Sequence, residues 1–188
     1  GQAVGSLAIE EQFRQETIAR GEIPWISQEN PKRPGMLMLF GRVRTWNFDS
    51  ATLISIRPPA PDLKTRLRFN WNAALAQDPT NASTIYYGSQ FVHKSNNKGI
   101  SWEIISPDLT TNNPAQQKQE ESGGLTIDIT AAENHNTILT IAPSKLDAQV
   151  IWVGTDDGNV QLTRDGGKTW TNLTPSIKGL PKESWIPQ

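Results

Sequence analysis

The sequence predicts an all-β protein built from repeated four-stranded antiparallel sheets, and three observations lead there. Residues 81–110 and 147–175 repeat one another. Both copies break into short runs of β-branched and aromatic residues divided by Gly, Asn and Asp. The composition, with 14 Gly, 13 Pro and 7 Trp at 36% hydrophobic residues, describes many short strands joined by many turns.

In the aligned copies Ile85-Tyr86-Tyr87-Gly88-Ser89 lies over Ile151-Trp152-Val153-Gly154-Thr155. Val92 to Ser95 lies over Val160 to Thr163, and Trp102 over Trp170. Each copy reads as three consecutive antiparallel strands, because such side chains suit a pleated, half-buried surface while Gly, Asn and Asp suit its turns. A further strand precedes each set, Leu67 to Leu75 before the first and Thr137 to Ala142 before the second. Four antiparallel strands per unit is the blade of a β-propeller. The expected fold is therefore a partial β-propeller with blades at 67–110 and 136–175.

The rest of the chain is read around those blades. Residues 1–35 form an N-terminal extension in which 6–20 favours helix, with Ser6 able to cap it and Gly21 to stop it. An incomplete blade at 36–58 has two strands, Met36 to Thr45 and Thr52 to Ile56. The polar segment 111–134 is an insertion whose first part, 111–124, runs over the surface. Residues 183–188 begin a further inner strand. Propellers close with about 4–8 blades, so the chain reads as a piece whose partner is the remainder of the ring.

Composition removes several function classes. Lys plus Arg number 18 and Asp plus Glu 19, a formal net charge of −1, with no broad attraction for nucleic acid or an anionic membrane. There is no cysteine, hence no disulfide and no thiolate ligand or nucleophile. No apolar run approaches the roughly 20 residues of a membrane span, and residues 1–13 lack the pattern of a signal peptide. Nothing in the sequence calls for a cofactor.

Two eight-residue motifs follow the matched strands. Ser95-Asn96-Asn97-Lys98-Gly99-Ile100-Ser101-Trp102 and Thr163-Arg164-Asp165-Gly166-Gly167-Lys168-Thr169-Trp170 both fit Ser/Thr-x-Asp/Asn-x-Gly-x-Ser/Thr-Trp. A tight outer hairpin leaves backbone N–H groups pointing inward, where Asn97 or Asp165 can accept from them. Gly99 and Gly167 supply positive φ, and Trp102 and Trp170 bury a large ring between sheets. Every one of these roles is structural.

The motifs resemble the Asp-box, or bacterial neuraminidase repeat (BNR). The run from Leu67 to Pro175 is similar to the bacterial sortilin-type propeller proteins often labelled "glycosyl hydrolase, BNR repeat". That resemblance implies a secreted, periplasmic or cell-envelope bacterial protein. Sialidases and xyloglucan-cleaving enzymes share the Asp-box, and so does the non-enzymatic receptor sortilin, so the motif tracks fold and not activity.

The chemistry points the same way. A sialidase-like site would need a Tyr nucleophile, yet the two tyrosines, Tyr86 and Tyr87, are adjacent within a strand and suit the core. A glycosidase would need two carboxylates about 5–9.5 Å apart. Asp49, Asp128, Glu133, Asp156 and Asp157 are the acids to consider, and Asp128, near an inner strand, is the one to mutate first. Asp156-Asp157-Gly158 has the composition of a hairpin turn and lacks the ligand number of a calcium loop. His93 and His135 lack partners at metal-ligand spacing. Asn81-Ala82-Ser83 is an N-glycosylation sequon that marks an exposed turn. Arg68, Asn70 and Trp71 are the candidate binding residues, with Arg66 nearby and Trp46 as a further stacking surface. The expectation is a non-catalytic module binding a peptide or glycan; the alternative is part of a glycoside hydrolase.

Overall fold

The computed structural model describes strands Ile23–Ile26, Gly35–Leu39, Arg42–Asn47 and Thr52–Ser55 in backbone, and residues 56–70, 72–118 and 134–187 in full. The chain divides into two compact units, 1–57 and 58–188.

The first unit contains one four-stranded antiparallel sheet in sequence order: β1 (Ile23–Ile26), β2 (Gly35–Leu39), β3 (Arg42–Asn47) and β4 (Thr52–Ser55). This corrects the two-strand reading of 36–58. The run Met36 to Thr45 is two strands, with Met36 opposite Thr45 and Leu39 opposite Arg42. The fourth strand, β1, lies inside the expected extension and pairs Ile23 with Met38. Pro24 is accommodated because β1 is at the sheet edge, where a missing N–H is tolerated. The helix expected over 6–20 lies outside the described residues.

The second unit contains two four-stranded antiparallel meanders. One is β5 (Leu75–Gln77), β6 (Ile85–Gly88), β7 (Val92–Ser95) and β8 (Glu103–Ile104). The other is β9 (Ile138–Pro143), β10 (Ile151–Thr155), β11 (Val160–Thr163) and β12 (Thr171–Asn172). Both run from a first to a fourth strand without a crossover, the order of a propeller blade. The fold is all-β, a partial β-propeller of four-stranded antiparallel blades.

The inner strand expected at Leu67 to Leu75 is a correction, since the ladder begins only at Leu75. Two side chains explain this. Asn70 Oδ1 accepts the N–H of Asn72 (3.1 Å) and turns the chain. Gln90 replaces a strand partner upstream, accepting from Arg68 N–H (2.8 Å) and donating to the Arg66 carbonyl (3.0 Å). Leu67 and Phe69 are nonetheless buried, and Phe69 stacks on Tyr87 at 5.0 Å.

The two sheets share a core of Ala74, Tyr86, Val92, Leu109, Ile138, Ile141, Ile151 and Val153, against which Ile105 and Trp170 pack. Full burial of side chains this size contributes about 1.5–3 kcal/mol each. One junction occurs twice. Ile138 N–H donates to the Ser89 carbonyl (2.8 Å), and a Cβ on Gly88 would stand 2.8 Å from Ile138 Cγ2. Likewise Ile186 N–H donates to the Thr155 carbonyl (3.0 Å), and a Cβ on Gly154 would stand 2.6 Å from Ile186 Cγ2. At each junction the following chain is laid on the end of a blade's second strand, at a glycine that leaves the space.

Candidate functional site

Both eight-residue motifs form hydrogen-bonded turns. Thr163 Oγ1 donates to Asp165 Oδ1 (2.8 Å) and accepts from Gly167 N–H (2.9 Å). Asp165 also accepts from Thr169 N–H (2.9 Å) and Thr169 Oγ1 (2.6 Å). The Thr169 bonds draw the Asp165 carboxyl down to about 2. Ser95, Asn97, Gly99 and Ser101 repeat the pattern: Gly99 N–H donates to Ser95 Oγ (2.8 Å) and Ser101 N–H to Asn97 Oδ1 (2.9 Å). Gly99 and Gly167 have φ of 90° and 101°. Trp170 Nε1 donates to the Ile105 carbonyl of the other blade (2.8 Å), and Trp102 packs near Tyr87. These groups are engaged in turns and blade contacts and present no reactive arrangement.

A second polar network is buried. Asp156 and Asp157 sit in the hairpin turn read from sequence, but they are 0% and 3% exposed. Asp156 accepts from Thr137 N–H (2.8 Å), Thr137 Oγ1 and Asn70 Nδ2 (3.1 Å). Asp157 accepts from Thr155 Oγ1 and, at 2.8 Å each, from Thr111 N–H, Thr111 Oγ1 and Asn136 Nδ2. Burial pushes the Asp156 carboxyl up against the Thr137 bonds that lower it. All four carboxylate oxygens are occupied, so the pair joins the turn to residue 70, the start of the 111–118 segment and residues 136–137.

A cleft of about 500 Å³ is lined by Thr65, Arg66, Arg68, Gln90, Phe91, Asp108, Asn112, Gln117 and Asn134, and Arg68 and Gln117 tie it to Asn136 of this network. Its size lies in the range of small-ligand sites. Arg68 is fixed in the wall: Nη2 donates to Asp108 Oδ2 (2.7 Å) and Thr110 Oγ1 (3.2 Å), and Nε to the Asn136 carbonyl (3.0 Å). Asp108 is the one carboxylate among the described lining residues, and Arg68 neutralises it.

The structure thus separates the candidate binding residues. Arg68 lines the cleft; Asn70 is buried and holds Asp156; Trp71 lies outside the described residues, as do Asp49, Asp128, Glu133 and the side chain of Trp46. Tyr86 and Tyr87 are both buried, and burial with the Asp78 carboxylate it bonds (3.0 Å) pushes the Tyr86 phenol up. His93 is buried too, its Nε2 2.8 Å from Ser89 Oγ, and burial lowers its pKa to about 4. No group of three or more His, Cys, Asp or Glu that could hold a metal occurs among the described residues. No helix among them is long and apolar enough to cross a membrane. Sequence reasoning missed Gln90, Asp108, Asn112 and Gln117, which sit in turns and connections with no periodicity to mark them. The one signal was the polar run Asn134-His135-Asn136-Thr137 directly before a strand.

No family model matches the chain, and no curated protein matches it. Solved structures do resemble it. A GH74 xyloglucanase from Xanthomonas campestris is 14% identical with a TM-score of 0.48, covering 79% of this chain and 21% of its own. A GH74 enzyme from Niastella koreensis is 20% identical at 0.43, covering 78% and 22%. YCF48 from Cyanidioschyzon merolae is 15% identical at 0.42, covering 81% and 37%. The chain spans well under half the length of each.

Proposed function

We propose that this chain is a non-catalytic propeller segment of an exported bacterial protein, an Asp-box module of the sortilin-like kind that binds a peptide or glycan in the cleft. Further blades of the parent protein are its structural partner, seated on the junction that Ile186 makes with Thr155.

The supporting observation is the fate of the carboxylates. Hydrolysis of a glycosidic bond needs two of them flanking an open site. Among the described residues the adjacent pair, Asp156 and Asp157, is buried with every oxygen occupied, while the open cleft holds only Asp108, paired to Arg68. The cleft offers arginine, amides and the edge of Phe91, groups that bind without reacting.

Assaying the full-length protein on a panel of polysaccharides, with binding measured in parallel by calorimetry, tests this. Binding without turnover is the expected result. Turnover abolished by Asp128→Asn in a folded variant overturns it in favour of a glycoside hydrolase.

A further inference from the structure

We propose that the cleft is an acid-sugar site, in which Arg66 and Asn112 hold the carboxylate of a uronic acid residue in a polysaccharide. This rests on reading the cleft as a binding face and adds the chemical class of its ligand.

Arg68 spends Nε and Nη2 on Asn136, Asp108 and Thr110, and its Nη1 has no partner among the described residues. The Arg66 backbone is held by Gln90, yet its exposed guanidinium has no partner among those residues. Asn112 uses Oδ1 to accept from Gln117 Nε2 (2.9 Å), and its Nδ2 has no partner among the described residues. The cleft therefore carries three donor groups unspent among the described residues. Among the described lining residues two arginines stand against one aspartate, a net positive set in a chain whose overall charge is −1. Excess donors and an unpaired guanidinium select an oxyanion, and the planar guanidinium fork matches a carboxylate with two parallel bonds.

Two features favour a sugar over an extended peptide. None of the described lining residues belongs to a β-strand, so they offer no ladder edge for a peptide to extend. Beside the donors stand Gln117 Oε1, an acceptor with no partner among the described residues, and the half-buried Phe91. Donor, acceptor and apolar edge close together suit hydroxyls and C–H groups alternating around a sugar ring. Arg68, clamped by Asp108, is a positioning residue that keeps the wall in place; Arg66 supplies the free charge.

The test is titration of the chain with sodium glucuronate and a glucuronate-containing oligosaccharide, followed by amide chemical shifts and calorimetry. Glucose, sodium sulfate and an acetylated peptide with a free C-terminus are the comparison ligands. Saturable glucuronate binding that shifts Gln90, Asn112 and Gln117 is expected. Arg66→Gln should weaken it about tenfold, the scale of one charge-assisted bond, and Asn112→Ala less, with unchanged melting temperatures. Equal response to glucose or sulfate, or tighter binding of the peptide, overturns the assignment while leaving a binding module. Cleavage of the oligosaccharide would instead refute the non-catalytic reading and leave the acid-sugar site standing.

Discussion

Replacing His93 by phenylalanine should make the protein less sensitive to acid. The imidazole is fully buried between Phe69 and Phe91, with Nε2 on Ser89 and Nδ1 without a hydrogen-bond partner among the described residues. Burial moves its pKa from 6.5 to about 4. The unfolded chain therefore takes up a proton that the folded chain refuses. The stability held by the neutral ring is complete above about 6.5 and is lost as pH falls toward 4. A gap of this size corresponds to about 3 kcal/mol in full, and about 2–3 kcal/mol by pH 4.5. Phenylalanine keeps the ring packing, and Ser89 Oγ keeps its bond from the Phe91 N–H (3.0 Å). Urea unfolding of both proteins at pH 7.5 and 4.5 measures the effect as a difference of differences, which cancels other titrating groups. Equal loss of stability in the two proteins would refute the reasoning.

Three other outcomes follow from the same structure. Asp157→Ala leaves donors from Thr111, Asn136 and Thr155 without their acceptor in a buried site, and should cost about 3–5 kcal/mol in urea unfolding. Asp157→Asn, which keeps one acceptor oxygen, should cost less; the reverse order would disprove the account. Gly88→Ala brings a Cβ to 2.8 Å from Ile138 Cγ2 and should destabilise by about 1–3 kcal/mol. In a double-mutant cycle Ile138→Ala should remove most of that cost, and additive effects would mean the clash is not the cause. Asp165→Ala should lower the melting temperature at pH 7 by stranding the Thr169 N–H, and the deficit should shrink as pH falls from about 4 toward 2, where the wild-type carboxylate is itself protonated. A deficit independent of pH would contradict this.

The blades were legible in the sequence because local signals there agree with the tertiary outcome. Strand chemistry, the Gly88 and Gly154 positions and the two motifs recur in register, and each stabilises structure within a few residues of itself. The inner strand before Leu75 was misread because Leu67 and Phe69 alternate as a strand should, while the deciding partner, the Gln90 side chain, comes from a distant turn. β1 was missed because its partner was misread: Met36 to Thr45 was taken as one strand, which left no hairpin for Ile23–Ile26 to pair with. Asp156 and Asp157 were correctly placed in a turn, but their burial depends on Asn70, Thr111 and Asn136, all remote in sequence. The cleft shares that origin: a set of turns made neighbours by the sheets carries no pattern along the chain.

The twofold junction, Ile138 on Gly88 and Ile186 on Gly154, has a consequence for how such a chain can change over time. The connection leading to Ile138 is much longer than that leading to Ile186, yet the same backbone bond and the same glycine notch receive both. Lengthening a closed connection costs little additional entropy per residue added, so the notch uncouples blade geometry from whatever is spliced between blades. Sequence inserted between residues 118 and 134 leaves Thr111 on Asp157 and Asn134 on the Phe69 carbonyl and need not re-register a strand, which makes that connection the natural place to engineer new specificity.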